Sequence, residues 1–259
     1  MSAAWDEIKE LHRQTTLGAK EGLAFRIFSR PVASFVLYFI KDGRITPNQV
    51  TILSLIVGIG GFCVQAAWLS YWGLVLGAVL FMIAHMLDAL DGQLARHRKA
   101  GSTVGMHFDF FVDELKAYFV FLSIAIRLYQ QSLAGDGVGF IEPMVERFGP
   151  HSIILGALAG ITGLAIGISC TQFLKLDSWK GTFPAGEGGS KKSLIAQLVS
   201  LAEKAGRFVV DYPSYILLVC VINHVEIYYA IYALVVCVYA TRALLGITTK
   251  LWRINPYDK

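Results

Sequence analysis

Long apolar stretches most constrain what this chain can fold into. Hydrophobic residues make up 55% of its 259 residues and charged residues only 16%, a balance too apolar for a usual soluble domain. A helix needs about 20 consecutive apolar residues to cross a bilayer, where its backbone must satisfy its own polar groups. The sequence therefore predicts an all-α integral membrane protein in contact with membrane lipid. The net charge of +4 is modest, and no nucleic-acid partner is expected.

Six transmembrane helices are predicted, and they form a domain over residues 46–259 that follows an N-terminal region at 1–45. Thr46 is placed to cap the first span, with Pro47 in its first turn, and Ser102 is placed to cap the third. The predicted spans cover residues 47–68, 71–98, 102–129, 151–175, 207–223 and 226–249.

Shorter segments flank these spans. Residues 1–21 contain a short amphipathic helix, in which Trp5, Ile8 and Leu11 step by three among charged residues. Residues 22–41 are apolar but interrupted by two arginines and a proline, so they are predicted to form an interfacial helix along the membrane surface; a genuine span is the alternative. The other connections are a polar loop at about 131–149, a loop rich in Gly, Ser and Lys at about 180–192 and an amphipathic segment at about 194–205.

The distribution of basic residues predicts the orientation in the membrane. With the N-terminus in the cytoplasm, six spans leave only Arg127 and Arg147 outside. The cytoplasmic side then holds Lys9 to Arg44, the turn at Arg96 to Lys99, the loop at 175–207 and the stretch from Arg242 to Lys259. Cytoplasmic loops are characteristically rich in Lys and Arg, so this multi-pass arrangement is the expected one.

Four aspartates lie at the predicted turn between the second and third spans. Asp88 and Asp91 are three residues apart, and Asp109 and Asp113 are four apart, so each pair shares one helix face. The turn between the pairs lies on the predicted cytoplasmic side, within reach of soluble metals and nucleotides. A carboxylate at membrane depth costs on the order of 2.5–3.5 kcal/mol, so cations must offset this cluster.

Two kinds of cation could do so. One alternative is a buried ion-pair network with Arg96, Arg98 and Lys116. The other is a divalent metal site, because an all-oxygen ligand set suits Mg²⁺ or Mn²⁺. His85 and His107 lie nearby in the sequence, and each is either a partner of a metal ligand or an ordinary packed side chain.

Small residues accompany the acids. Gly92, Ala95 and Gly105 would let a flat base or a phosphate approach the backbone closely, although small residues also favour close helix packing in membranes. Membrane sites with two metals beside such a patch mostly transfer phosphoryl groups, because the metals neutralise a diphosphate and stabilise its leaving oxygen. Phosphoryl transfer is therefore the chemistry that these residues favour.

The full pattern resembles a known family. Asp-x2-Asp-Gly-x2-Ala-Arg-x8-Gly-x3-Asp-x3-Asp, running from Asp88 to Asp113, is similar to the signature of the CDP-alcohol phosphotransferases (CDP-alcohol phosphatidyltransferases). The six-span layout is also similar to that family, as is Thr-Pro-Asn-x2-Thr at residues 46–51. The resemblance implies an enzyme of the EC 2.7.8 type, in which an acceptor hydroxyl attacks the phosphorus nearest the alcohol of a CDP-alcohol and CMP is released.

The resemblance also implies roles for individual residues. It implies a site with two divalent ions, Mg²⁺ or Mn²⁺, in which Asp113 is the general base and an additional metal contact. By position in the pattern, the metal ligands would be Asp88, Asp91 and Asp109, the cytidine pocket would be lined by Gly92, Ala95 and Gly105, and the diphosphate would be met by Arg96. Asn48, Thr51 and Ser102 are further candidates for nucleotide contacts, with capping or packing as the alternative.

The substrates remain open. The donor is expected to be CDP-diacylglycerol or a similar lipid, and the alternative is a soluble donor of the CDP-choline or CDP-inositol type. The acceptor would be inositol phosphate, glycerol phosphate or another polyol involved in phospholipid synthesis. Lys116 is placed to contact an anionic acceptor or to pair with an aspartate. Glu114 departs from the family, which more usually has Arg, Lys or a small residue there.

Two further expectations concern assembly and class. A homodimer is compatible with the glycines at 156, 160, 163 and 167. A transporter or channel that used carboxylates as a cation path would distribute acids through several spans. Here the acids of the spans cluster at one end, and Glu226 is the only acid within the outer half of a predicted span, so the enzyme is favoured.

Overall fold

The computed structural model describes residues 2–16, 29–176 and 220–252, and within these ranges the chain is helical without β-strands. The all-α prediction is therefore confirmed. The helices, numbered in chain order, are α1 (Ser2–Thr15), α2 (Arg30–Ile40), α3 (Pro47–Ala67), α4 (Tyr71–His97), α5 (Thr103–Ala134), α6 (Glu142–Phe148), α7 (His151–Lys175) and α8 (Val225–Trp252), with a short 3-10 helix at Gly139–Ile141.

Four of the described helices, α3, α4, α7 and α8, are long and apolar enough to cross a membrane. Helix α5, at 32 residues, is longer still, but its acids and lysine leave it outside that group. The predicted fifth span at 207–223 and the amphipathic segment at 194–205 lie outside the described residues, apart from 220–223. An integral membrane protein is thus supported, and the number of six spans stays a prediction.

Local side-chain signals start the helices that carry the motif. Thr46 accepts a hydrogen bond from the backbone N–H of Gln49, and the Gln49 side chain accepts one from Thr46 N–H, which forms a capping box with Pro47 in the first turn of α3. Ser102 Oγ accepts from Gly105 N–H at 2.9 Å before α5. Both predicted caps are confirmed.

Contacts among the described residues cluster in two compact units. The first contains α1 to α4, α5 as far as Arg127 and residues 220–223, and the second contains the rest of α5 and α6 to α8. In the first unit, α3 and α4 approach closely because a Cβ on Gly61 would lie 3.2 Å from Gly77 O, and one on Gly77 only 2.7 Å from Gln65 Cβ. Such small residues let membrane helices pack backbone to backbone.

The second unit differs from expectation in two ways. Glycines proposed for a dimer contact face α8 of the same chain: a Cβ on Gly156 would lie 2.3 Å from the Tyr229 hydroxyl oxygen, and one on Gly163 would lie 3.2 Å from Val236 O. The predicted polar loop at 131–149 also contains the 3-10 helix and α6, and the Glu142 carboxylate accepts a hydrogen bond from Val138 N–H at 2.5 Å at the start of this segment.

Helices α1 and α2 pack on the half of α4 that carries the motif. Leu11, Leu37 and Leu94 are buried together in one apolar cluster. Trp5, which belongs to the predicted apolar stripe of α1, is 55% exposed and does not share this burial. Helix α1 lies where the short amphipathic helix is predicted. The interfacial helix predicted at 22–41 coincides in part with α2, Arg30–Ile40, and its place at the membrane surface stays a prediction. Residues 17–28 lie outside the described part of the chain.

Two arginines tie helix ends together in the first unit. Arg98 follows α4 and donates to the carbonyl oxygens of residues 40, 41, 43 and 45, which connect α2 to α3. Arg127 is 2% exposed and donates to the carbonyls of residues 68 to 70, at the turn between α3 and α4. Each guanidinium therefore binds several backbone carbonyls of the connection between two helices.

Candidate active site

Helices α4 and α5 bring three of the four motif aspartates together. Asp88, Asp109 and Asp113 each offer a carboxylate oxygen, and these oxygens lie within 4.8 Å of one another. Asp109 Oδ1 is buried and has no hydrogen-bond partner among the described residues. A buried carboxylate oxygen without a partner is costly, so this atom is positioned for a ligand that is not a protein group.

Lys116 supplies the positive charge that faces these acids. Its side chain is fully buried, and Nζ lies 2.5 Å from Asp88 Oδ1 and 2.8 Å from Asp113 Oδ1. The ammonium also donates to Ser54 Oγ of α3 at 3.1 Å. Lys116 therefore forms the predicted ion pair with aspartates, whereas its contact with an acceptor stays a prediction. Arg98 of the predicted network binds backbone carbonyls instead.

Asp91 lies apart from this trio. It is buried, and its Oδ2 accepts a hydrogen bond from Thr51 Oγ1 of α3 at 2.5 Å. The Thr51 hydroxyl also lies 3.2 Å from Pro47 O in its own helix. Thr51 was predicted as a nucleotide contact, and the structure places it against a predicted metal ligand. Helix α3 therefore contacts the acidic face at two points, directly through Thr51 and through Ser54, which accepts a hydrogen bond from the Lys116 ammonium.

The small motif residues lie on the same helices as the acids, Gly92 and Ala95 on α4 and Gly105 on α5. A Cβ on Gly105 would lie 3.0 Å from Ser102 Oγ and 3.3 Å from Asn48 Oδ1, so these three residues form one exposed corner at the start of α5. Gly92 is partly buried and Ala95, one turn later, is also partly accessible. The structure thus places Gly105 beside two of the predicted nucleotide contacts, and the cytidine pocket itself stays a prediction.

Two arginines cover Gly92. A Cβ there would lie 3.3 Å from one Arg96 guanidinium nitrogen and 3.7 Å from Arg30 Nη1. Arg96 Nε donates to Thr15 O at 2.5 Å, and Arg30 Nη1 donates to Ala89 O at 2.6 Å. The motif includes Arg96 but not Arg30, although a buried arginine within an apolar run is itself a signal of function in a membrane protein.

The remaining sequence candidates lie at the edge of the site. His85 is buried one turn before Asp88, whereas His107 is exposed. Glu114 is partly buried and lies 3.5 Å from the Tyr118 hydroxyl. None of these three side chains belongs to the carboxylate trio.

The donor set fits a hard divalent cation. Three carboxylates converge without sulfur or imidazole ligands, and one buried oxygen has no hydrogen-bond partner among the described residues. Mg²⁺ and Mn²⁺ prefer such oxygen ligands. The carboxylates can hold a cation, and two arginine guanidinium groups lie over Gly92 on the same helix. Cations and guanidinium groups are the usual partners of phosphate oxygens, so a phosphorylated ligand is compatible with this arrangement.

Comparison with known proteins identifies the same region. The family model described as CDP-alcohol phosphatidyltransferase matches residues 44–239, which include every aspartate of the motif. Curated relatives include the "Bifunctional IPC transferase and DIPP synthase" of Aquifex aeolicus, which is 28% identical over 120 residues, or 46% of this chain and 27% of the relative. The protein of the same name from Thermococcus kodakarensis is 29% identical over 112 residues, or 42% of this chain and 24% of the relative.

A third relative has a different name. "Cholinephosphotransferase 1" of Gallus gallus is 38% identical over 88 residues, or 33% of this chain and 25% of the relative. The matched stretches thus span about a quarter of the length of these curated relatives.

Proposed function

Because the chain belongs to the CDP-alcohol phosphatidyltransferase family, we propose that it is a membrane phosphotransferase of the EC 2.7.8 type. It would transfer a substituted phosphoryl group from a CDP-linked donor to the hydroxyl of an acceptor alcohol and release CMP. The observation that carries this proposal is the convergence of Asp88, Asp109 and Asp113 within 4.8 Å at the motif positions.

The proposed metal ligands are Asp88, Asp91 and Asp109, with Asp113 as an additional contact. A bound Mg²⁺ or Mn²⁺ pair would neutralise the diphosphate and stabilise the leaving phosphate oxygen of CMP. Thr51 orients the Asp91 carboxylate through its hydrogen bond. The trio and Asp91 together have enough carboxylate oxygens for two cations.

Asp113 is the proposed general base. Its side chain is 47% exposed, whereas that of Asp88 is 8% exposed, so an incoming hydroxyl can reach Asp113 more easily. The Asp113 carboxylate would accept the proton of that hydroxyl as the new oxygen–phosphorus bond forms and the bond to CMP breaks. Its ion pair with Lys116 at 2.8 Å fixes the direction of the carboxylate.

The nucleotide would bind on the small residues beside the acids. Gly92, Ala95 and Gly105 would line the cytidine pocket, and Asn48 and Ser102 border Gly105 on its exposed side. The Arg96 guanidinium, which lies over Gly92, would meet the diphosphate, since its fork geometry suits phosphate oxygens.

The proposed donor is CDP-diacylglycerol or a similar lipid, and the acceptor is a polar alcohol such as inositol phosphate, glycerol phosphate or another polyol. Lys116 remains a proposed contact of an anionic acceptor, although the buried position of Nζ would require the acceptor to reach between α3, α4 and α5. A soluble donor of the CDP-choline or CDP-inositol type is the second candidate, because one relative is named a cholinephosphotransferase.

The proposed topology has six spans, with the aspartates near the cytoplasmic face and the N-terminal helices at the interface. Support comes from the four apolar helices and from the basic turn at Arg96 to Lys99. A cysteine placed at Gly101, in the exposed turn, should react with an impermeant maleimide only after the cell membrane is opened. Reaction in intact cells would contradict this orientation. Homodimers remain part of the proposal.

The function is tested by following CMP release from purified protein in lipid nanodiscs. The reactions contain Mg²⁺, one of the two donor classes and a panel of acceptors analysed by mass spectrometry of the lipid product. Asp113→Asn should abolish turnover, whereas Glu114→Gln, which alters the neighbouring acid outside the trio, should retain it. CMP release that is absent with every pair of substrates, or equal in the two variants, would contradict the proposal.

A further inference from the structure

Lys116 is the most deeply buried charge in the described part of the acidic site. Its side chain has 0% exposure, yet it belongs to α5 and reaches between α3 and α4. The ammonium lies within 3.1 Å of three oxygens: Asp88 Oδ1 at 2.5 Å, Asp113 Oδ1 at 2.8 Å and Ser54 Oγ at 3.1 Å. All three ammonium hydrogens therefore have an acceptor available.

A glycine on α3 makes room for the lysine stem. A Cβ on Gly58 would lie 3.2 Å from Lys116 Cγ and 3.7 Å from its Cδ. Gly60, two residues later in the same helix, would meet only Leu80 Cδ1, at 4.0 Å. The absence of a side chain at Gly58 thus gives the Lys116 stem the space in which it reaches the aspartates.

The Lys116 ammonium reduces the electrostatic repulsion among the three carboxylates. Carboxylates of α4 and α5 that lie within 4.8 Å of one another repel strongly in a poorly solvated site. One ammonium placed on both Asp88 and Asp113 joins the two helices and offsets part of this repulsion. The same positive charge must also weaken the attraction of the site for a divalent cation.

We propose that Lys116 is a positioning residue and the built-in counter-cation of the carboxylate trio. It holds Asp88 of α4 against Asp113 of α5 when no divalent cation is bound, and it lowers the affinity of the site for that cation, so that cations can exchange. The part about cation affinity rests on the proposed metal-dependent function, whereas the part about the cation-free protein does not.

Thermal unfolding of the full chain in nanodiscs tests both parts. In EDTA, Lys116→Met should lower the Tm by about 5–10 °C, the scale expected when one partner of a buried ion pair is removed. Lys41→Met is the matched control, because Lys41 pairs with Glu7 at the surface, and its Tm should change by about 1 °C or less.

The same Tm measurements with added Mg²⁺ show whether Lys116→Met acts through the lost positive charge or through lost packing. The Tm increase produced by Mg²⁺ should be larger in Lys116→Met than in the native chain, because the cation replaces the missing charge. In an Asp113→Asn background, Lys116→Met should cost less in EDTA, because one repelling carboxylate is gone. A purely structural lysine would give the same loss of Tm in all these conditions, which would overturn the proposal.

A milder variant tests the inference should Lys116→Met fail to fold. Gly58→Ala displaces the lysine stem, and Gly60→Ala provides the same gain in helix propensity without that contact. Gly58→Ala should have the lower Tm in EDTA and the larger increase with Mg²⁺. Equal behaviour of the two alanine variants would count against the role of Lys116.

The outcomes for the two proposals can be told apart. If Mg²⁺ does not raise the Tm of the native chain, the metal-dependent function fails, and the values in EDTA still decide whether Lys116 holds the acids together. If Mg²⁺ stabilises the native chain and Lys116→Met by the same amount, the function stands and the counter-cation proposal is wrong.

Discussion

Thr51→Val removes one hydroxyl from the site and almost nothing else. Valine keeps the shape of threonine, so the change deletes the 2.5 Å hydrogen bond to Asp91 Oδ2 and the longer contact with the carbonyl one turn earlier. A hydrogen bond to a charged acceptor contributes about 1.5–3 kcal/mol. Since each 1.4 kcal/mol is about tenfold, loss of this bond from Asp91, a proposed metal ligand, should weaken cation binding by about 10- to 100-fold. That range agrees with substitutions of groups that orient metal ligands elsewhere.

The assay is a Mn²⁺ titration read in two ways, by the Mn²⁺ dependence of CMP release and by paramagnetic resonance of free Mn²⁺. Thr51→Ser keeps the hydroxyl and should bind Mn²⁺ like the native chain. Thr241→Val is the second control, because that hydroxyl bonds only the carbonyl of its own helix among the described residues. A midpoint for Thr51→Val within about twofold of both controls, on a scale where the bond predicts tenfold or more, would refute the orienting role of Thr51.

Three further predictions concern the proposed nucleotide contact at Gly105, the turn between α3 and α4, and an ion pair on α1. Gly105→Val should raise the KM for the CDP-linked donor by about tenfold or more, because its Cβ would lie 3.0 Å from a serine oxygen, whereas Gly101→Val, with nothing within 4 Å, should leave KM unchanged. Arg127→Met should lower the free energy of unfolding, measured by denaturant titration, by about 1.5–3 kcal/mol, because part-buried carbonyls lose their charged donor. A change below about 0.5 kcal/mol, the size expected of a surface substitution, would contradict this role. Hydrogen bonding by Arg13 lowers the pKa of Glu10 to about 2 from an ordinary 4.5, so the contribution of this pair is present above pH 4.5 and is lost as pH falls through about 2. A carbon-13 NMR titration should place the midpoint near 2 in the native chain and closer to 4.5 in Arg13→Ala.

The helices of the first unit illustrate how far local rules extend. The first two predicted spans end within a residue or two of α3 and α4, and the caps at Thr46 and Ser102 form as predicted. The segment at 131–149 is predicted as a polar loop, and it also contains the 3-10 helix and α6. Within it, the Glu142 carboxylate accepts a hydrogen bond from the backbone four residues earlier, a contact that composition does not specify.

In the candidate site too, local sequence patterns predicted some features and tertiary contacts determined others. Spacing along α4 and α5 predicted which acids share a face of each helix, and three of them converge. Spacing did not reveal that Thr51 would bind Asp91 or that Arg30 would lie over Gly92. Those contacts join segments far apart in the sequence, and no local pattern specifies them.

What the sequence determined by itself is therefore the helical framework, the motif and the face of each helix that carries it, because periodicity and capping act within a few residues. Only the tertiary structure decided that Lys116 lies between Asp88 and Asp113. The physical reason is that the rotation and axial offset between two helices depend on how closely they pack. In this chain the close packing at Gly58, where α3 leaves space for the lysine stem, allows one ammonium to join acids from two helices.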